Sequence, residues 1–381
     1  MPQVDKKLRM LIVFGTRPEA IKLAPVVREA AKRQWAQPIV CVTAQHREML
    51  DQMLAVFGIR PDVDLGIMTH KQSLHAITAK ILTGLHKVIE QTRPHLIIAQ
   101  GDTTTTFAAS LAAFYARVPV AHVEAGLRTY RKDEPFPEEV NRKLADALAD
   151  FYFAATEGNR KNLLSEGTDP GRIFVVGNTV VDALRRILRA NREKSSFDDL
   201  PVFERHRKIV VVTAHRRESF GEPLINICQA IRKIAESNDD VEVVYPVHLN
   251  PNVLIPVRRM LGGNKRIHLL PPLDYFSFVE LLRRSSLILT DSGGVQEEAP
   301  TLGKPVIVMR EVTERPEGVD AGFVRIVGTG GSPIVKAAQE LLEDSSARSR
   351  LKKIPNPYGD GRAAHRILNV IGRYRASLLS E

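Results

Sequence analysis

Three carboxylates in the first half of the chain stand where a proton could be taken up or given: Asp102, Glu124 and Glu138. Asp102 closes the apolar run 95–102, and Glu124 follows the apolar run 118–123. Glu138 opens a helix directly after Pro135-Phe136-Pro137. In an open α/β sheet the carboxyl ends of strands are the edge that faces a ligand. Carboxylates gathered at that edge can move protons when burial and mutual repulsion raise some of their pKa values. Each also has a plainer role. Asp102 could cap the Thr-rich helix that begins at Thr103, and Glu138 could simply favour its helix dipole. Glu124 sits against buried apolar residues, where a Glu is seldom placed without a partner. The spacing alone leaves open whether the three converge.

A second group lies near the other end of the chain. Residues 286–289 form an apolar run and read as a buried parallel strand. They lead into Asp291-Ser292-Gly293-Gly294 and then into Val295-Gln296-Glu297-Glu298, which reads as the first turn of a helix. Two glycines let a ligand approach bare backbone, and the N–H groups at a helix start favour an anion. This turn is expected to hold the diphosphate of a nucleotide, with Glu298 placed for ribose hydroxyls. The alternative is an ordinary strand-to-helix turn with a solvated Glu pair. Arg17 and Lys22 bracket an earlier helix start, after Gly15-Thr16, and read either as a cationic clamp or as solvated helix residues. His215, beside Arg216 and Arg217, suggests an anion site and an acid or base, and His248 has the same ambiguity. Gln45 and His46 follow the second strand at the ligand-facing edge. Arg315 adds a further phosphate contact, and the loop 271–278 could wall a flat base.

The elements that must carry these residues alternate strand and helix. Strands are expected at 10–14, 38–43, 62–65, 95–102, 118–123, 151–156 and 173–178. A second series follows at 208–213, 241–246, 267–270, 286–289, 305–309 and 322–327. Helices are expected at 74–92, 334–342 and 363–379. The charged, Ser/Asp-rich stretch 190–207 reads as a linker. Two such series predict two Rossmann-like domains facing across a cleft, with residues 1–185 and the closing helix 363–381 in the first and residues 208–361 in the second.

At 381 residues the chain is long enough for two cores. A composition of 44% hydrophobic and 26% charged residues excludes a disordered or fibrous chain. The net charge of +10 suits an acidic ligand or a nucleic acid, but scattered Lys and Arg with 6% aromatics give no platform for stacking bases. Cys41 and Cys228 read as buried free thiols of a reducing compartment, and no metal-binding spacing is present. No run is long enough for a signal-peptide core or a membrane span, so the expectation is a cytoplasmic protein with no membrane partner.

Several longer stretches together resemble a known family. They are 15–22 (Gly-Thr-Arg-Pro-Glu-Ala-Ile-Lys), 43–48, 101–106, 122–128, 245–251, 291–298 and 313–318. The chain is similar over residues 10–373 to the bacterial non-hydrolysing UDP-N-acetylglucosamine 2-epimerases. The resemblance implies a glycosyltransferase-B-like α/β fold and the interconversion of UDP-N-acetylglucosamine and UDP-N-acetylmannosamine. It implies anti elimination of UDP to a 2-acetamidoglucal, followed by re-addition. Carried over by motif, Asp102, Glu124 and Glu138 are the acid/base carboxylates, and His215 assists departure and return of UDP. Arg17, Lys22, Ser292, Gly293, Gly294, Glu298 and Arg315 contact the nucleotide, while Leu273 and Phe278 form the uracil pocket.

Many bacterial members also bind a second, activating UDP-N-acetylglucosamine. Gln45, His46, Lys71, Gln72, Arg216 and His248 match that site, with Lys71 standing where an Arg is expected. Lys keeps the charge without the bidentate fork, so weaker activation is implied. The loop 133–136 before Glu138 is a second departure. No cofactor is implied, since the reaction has no net redox change, and the family is usually homodimeric. The competing readings are a hydrolysing or different-substrate epimerase, a glycosyltransferase on the same fold, and a non-catalytic binder of nucleotide sugars.

Overall fold

The computed structural model describes residues 6–44, 47–69, 72–193, 207–344 and 346–380. The chain divides into two units, Met1–Ala183 with Tyr358–Glu381, and Leu184–Pro357.

The first unit is built on a parallel seven-stranded sheet. Its elements run β1 (Leu8–Phe14), α1 (Arg17–Ala31), β2 (Ala36–Val42), α2 (Arg47–Phe57), β3 (Val63–Asp64), α3 (Leu74–Thr92), β4 (Leu96–Gln100), α4 (Thr104–Tyr115), β5 (Val120–Ala125), α5 (Glu138–Leu148), β6 (Phe151–Ala154), α6 (Glu157–Ser165) and β7 (Ile173–Val175). Helix α7 (Thr179–Glu193) follows. The strand order is β3-β2-β1-β4-β5-β6-β7. Apart from half-buried Arg9 in β1 and Gln100 at the end of β4, these two strands are apolar and buried, as a parallel sheet covered on both faces requires. One core layer is formed by Leu11, Val13, Ile81, Leu85, Ile97 and Ala109 with their neighbours from α3 and α4. Gly15 is required where it stands, because a Cβ there would lie 1.9 Å from Thr43 Oγ1.

The second unit repeats the plan with six parallel strands. It runs β8 (Lys208–Thr213), α8 (Glu222–Ser237), β9 (Val241–Pro246), α9 (Pro251–Leu261), β10 (Ile267–Leu270), α10 (Tyr275–Arg284), β11 (Leu287–Thr290), α11 (Gly293–Leu302), β12 (Val306–Val308), α12 (Pro316–Asp320), β13 (Val324–Ile326), α13 (Gly331–Glu343) and α14 (Ala347–Leu351). The order is β10-β9-β8-β11-β12-β13. Both of its faces are packed, one on α8, α9 and α13 and the other on α10 and α11. In each sheet the strand order reverses direction at the centre, between β1 and β4 and between β8 and β11. Ligands of open α/β sheets bind outside the carboxyl ends of strands at such reversals.

Three expectations are corrected here. The closing helix is two pieces, α15 (Ala363–Arg373) and α16 (Arg375–Ser380). Tyr374 leaves helical geometry at ψ 6°, and its ring packs edge-on to Phe151 and Phe174 at 5.1 and 6.1 Å. The stretch 271–278 is not all loop. Asp274 caps α10 by accepting from the amides of Phe276 and Ser277 at 2.8 and 3.2 Å, so Phe278 lies on a helix. The expected linker is helical at its start, where α7 runs on to Glu193, and residues 194–206 lie outside the described residues. Helix α15 is seated on α7 by Asp182, whose carboxylate accepts from the amides of Ala363 and Ala364 at 3.1 Å each. No described helix is long and apolar enough to cross a membrane.

Candidate active site

In the first unit the reversal point is tied together by a residue that the sequence did not single out. Glu19, in the first turn of α1, is 2% exposed. Its Oε2 accepts from the amides of Gly15 and Thr16, at 2.9 and 2.8 Å, and from the Thr16 hydroxyl at 2.8 Å. Its Oε1 accepts from the Thr103 hydroxyl at 2.5 Å and lies 3.2 Å from the Thr106 hydroxyl. One carboxylate therefore joins the turn after β1 to the turn after β4. Burial raises the Glu19 pKa, and the hydrogen bonds only partly oppose this.

Asp102 sits in that second turn. It is not the N-cap of α4; Thr103 is, accepting from the Thr106 amide at 3.2 Å. Instead the Asp102 carboxylate is paired with Arg142. Its backbone is held at successive carbonyls. Thr106 donates to Gln100 at 2.6 Å, His122 to Gly101 at 2.8 Å, and Asn141 to Asp102 itself at 3.0 Å. His122 has no exposed surface, and its Nδ1 meets Asp146 Oδ1 at 2.6 Å. A carbonyl can only accept, so Nε2 carries a proton, and the carboxylate at Nδ1 calls for a second. Burial works against charge on this ring, but Asp146 outweighs it and the pKa is raised. Burial likewise opposes charge on Asp146, and His122 and Arg128 override it and lower its pKa.

Glu124 ends β5, next to β4. It is 7% exposed and has φ +68°, left-handed for a residue with a side chain. The ladder to β6 shifts register there, between Val123 and Ala125. Such a conformation costs about 1–3 kcal/mol and persists only where its surroundings hold it. Glu124 Oε2 accepts from Lys22 Nζ at 2.5 Å and from Gln100 Nε2 at 3.0 Å. Lys22 is thus not a solvated helix residue; it is buried beside this carboxylate. Arg17 is the first residue of α1 and is half-buried. Glu138 is the first residue of α5, half-buried and four positions before Arg142. Residues so spaced share a helix face, which places Glu138 on the face that meets Asp102. Glu139 is the more buried of the two, accepting from the amides of Thr129 and Tyr130 at 3.0 and 2.9 Å. Asp102 and Glu124 therefore come together at neighbouring strand ends, with Glu138 on the helix that covers them.

In the second unit, α11 begins at Gly293 with Ser292 as N-cap, so the glycines are helical rather than a loop before the helix. A Cβ on Gly293 would lie 2.5 Å from Arg315 Nη1, whereas one on Gly294 meets nothing nearer than Ser292 Oγ at 3.9 Å. Gly294 is exposed. Arg315 is buried and fixed, with Nε donating to Glu297 at 2.6 Å and Nη1 paired with Glu314. Glu298 accepts from the Tyr275 hydroxyl at 2.7 Å. Leu273 is buried in the core, and Phe278 packs against it partly buried. His215 is exposed and stacks on His248, with ring centroids 5.5 Å apart and planes 12° apart. The amides of His215 and Arg216 both donate to Asp291, at 2.7 and 2.8 Å. Of the residues matched to the activating site, Gln72 belongs to the first unit, where its Nε2 donates to the Ile67 carbonyl at 2.8 Å. Gln45, His46 and Lys71 lie outside the described residues.

The carboxyl edge of the first sheet is thus rich in paired acids, and that of the second presents bare backbone at a helix start. The family model described as UDP-N-acetylglucosamine 2-epimerase matches residues 28–372. The UDP-N-acetylglucosamine 2-epimerase of Salmonella typhimurium is 51% identical over 376 residues, covering 97% of this chain and 100% of the relative. The chain belongs to the UDP-N-acetylglucosamine 2-epimerase family. An epimerase is an isomerase, and that is the enzyme class of the family. The Neisseria meningitidis UDP-GlcNAc 2-epimerase, in a crystal structure bound to UDP-GlcNAc, matches with a TM-score of 0.91 at 45% identity, covering 96% of this chain and 100% of that one. The glycotransferase of kitacinnamycin matches with a TM-score of 0.65 at 12% identity, covering 97% and 99%. That likeness is one of fold alone, and it makes the architecture of this epimerase-family chain glycosyltransferase-B-like.

Sequence reasoning did not single out roles for Glu19, His122, Glu139, Arg142, Asp146 or Asp291. A signal was available for two of them. Arg142 and Asp146 follow Glu138 at intervals of four on one helix, a polar stripe that turns out to face the sheet rather than solvent.

Proposed function

We propose that this chain interconverts UDP-N-acetylglucosamine and UDP-N-acetylmannosamine by inverting C2. A base removes the C2 proton, the C1–O bond breaks, and UDP leaves a 2-acetamidoglucal. A proton then returns to C2 on the opposite face as UDP adds back to C1. Inversion needs acid/base groups on two faces, which one carboxylate cannot supply. The observation that carries this reading is the gathering of Asp102 and Glu124 at adjacent strand ends of the first unit, under the helix of Glu138. Each has a cationic partner, Arg142 for Asp102 and Lys22 for Glu124.

The second unit takes the nucleotide. The Ser292–Gly294 turn offers amides to the diphosphate, and Arg315 and His215 stabilise the charge that develops on departure. Leu273 and Phe278 serve the uracil, and Glu298 the ribose. The bound UDP-GlcNAc of the Neisseria relative supports the same ligand here. The division of labour between the two units, a homodimeric state, a cytoplasmic location and a second, activating nucleotide-sugar site belong to the same reading.

Incubation with UDP-N-acetylglucosamine in deuterated water tests it. Deuterium at C2 in both epimers is expected, with the sugar still joined to UDP. Free N-acetylmannosamine as the main product would assign the chain to hydrolysis instead, and absence of exchange would remove the epimerase reading.

A further inference from the structure

Asp291 lies between the last residue of β11 and the N-cap of α11 with no exposed surface. A carboxylate withdrawn from water needs donors on both oxygens. Oδ2 has them: the amides of His215 and Arg216 at 2.7 and 2.8 Å, and the Ser219 hydroxyl at 3.4 Å. Oδ1 is buried and, among the described residues, has no hydrogen-bond partner. The basic atom beside it is His215 Nδ1, at 3.7 Å.

The main chain of His215 is already fixed. The Tyr245 hydroxyl donates to the Ala214 carbonyl at 2.7 Å, and Thr213 and Thr290 join β8 to β11 through their hydroxyls at 2.6 Å. His248 supports one face of the ring. A small turn of the imidazole brings Nδ1 within hydrogen-bond distance of that oxygen. Contacts of this kind are commonly long until a site is filled.

We infer that Asp291 is the positioning residue for His215: its buried Oδ1 draws Nδ1–H inward, fixing the tautomer and leaving Nε2 directed away from the carboxylate, toward the leaving diphosphate. The inference rests on the reading of His215 given above. Asp291 acts through the histidine and touches no substrate.

A double-mutant cycle separates this from a mere backbone clamp. Asp291→Asn keeps an acceptor for the two amides but presents an N–H to Nδ1, the wrong partner. We expect kcat to fall about a hundredfold, the low end of what an acid–base group contributes, with KM and the UDP Kd within about threefold. In a His215→Gln background the same change should cost less than about twofold, because groups that act as a unit are not additive. An equal loss in both backgrounds, or a UDP Kd that weakens in step with kcat, overturns the inference. His215→Gln alone judges the underlying reading: unchanged turnover there refutes the role of His215 and the inference with it. Should Asp291→Asn fail to fold, 15N-histidine spectra of the unmodified protein decide. His215 identified by its loss in His215→Gln must carry its proton on Nδ1, and an unprotonated Nδ1 overturns the inference.

Discussion

Gly293 and Gly294 are neighbours in sequence, and the structure gives them opposite tasks. A methyl group on Gly293 would sit 2.5 Å from Nη1, 2.7 Å from Cζ and 3.0 Å from Nη2 of Arg315. To restore ordinary contact the guanidinium must retreat by about 1 Å, yet its Nε is already 2.6 Å from Glu297. Overpacking alone costs about 1–3 kcal/mol, and parting a buried ion pair costs more. We therefore expect Gly293→Ala to destabilise the second unit by about 2–4 kcal/mol. Gly294→Ala meets open space, and replacing Gly by Ala within a helix is favourable by up to about 1 kcal/mol. Its stability should match the parent or exceed it. Its UDP affinity should not, because the new methyl group stands where the diphosphate approaches the backbone. Losing one charge-assisted hydrogen bond there costs about 1.5–3 kcal/mol, which is a tenfold to hundredfold weaker Kd. Urea unfolding followed by circular dichroism, with calorimetric titration of UDP, measures both quantities. A Gly294→Ala protein that binds UDP as tightly as the parent would refute the placement of the nucleotide at this turn. A Gly293→Ala protein of parental stability would refute the fixed position of Arg315.

Asp102→Asn, Glu124→Gln and Glu138→Gln should each lower kcat by at least about a hundredfold while the UDP Kd changes only a few fold; steady-state kinetics with unchanged rates would remove the proton-transfer assignment. His122 should show in a stability profile. Its pKa is raised above 6.5, so its contribution is whole below that value and fades as pH climbs through the folded-state value. Asp146 is depressed below 3.8, so its share is present above that pH and is lost on acidification through its folded-state value. The Tm difference between the parent and His122→Gln should thus be level between those limits and shrink on the alkaline side; a difference independent of pH up to 9 would contradict a charged His122. UDP-N-acetylglucosamine added to an assay started from UDP-N-acetylmannosamine should stimulate turnover, and Lys71→Arg should stimulate it further. No response from either protein would count against the activating site.

The sheets were legible because parallel strands buried on both faces read as unbroken apolar runs, and α3 was found at its full extent because its amphipathic period ends cleanly at Arg93-Pro94. The passage from strand to helix at Ser-Gly-Gly was legible from residue type, but the helix begins at Gly293 and not after the glycines. The site's partners were not, because they are remote in sequence. Lys22 meets Glu124 across 102 positions and Arg142 meets Asp102 across 40. Nothing local marks Lys22 as a core residue, since a lysine in the second turn of a helix is ordinarily solvated. Asp102 was ambiguous for the same reason: an Asp before a Thr-rich helix looks like a cap until Thr103 is seen to do that work. The closing helix was drawn too long because its apolar stripe continues through Tyr374, and only the rings of Phe151 and Phe174 explain why the backbone breaks there.

Glu19 and Asp291 hold the two reversal points chiefly by the main chain. Asp291 grips positions 215 and 216 by their amides, and Glu19 grips 15 and 16 largely so. At position 216 the scaffold therefore recognises where the residue is, not which side chain it bears, whereas position 15 must be glycine and position 215 also answers to the buried Oδ1 of Asp291. The arginine at position 216 can be exchanged without loosening the fastening beneath it, and the rim there is a mount whose outer fittings can change while the sheet underneath stays as it is.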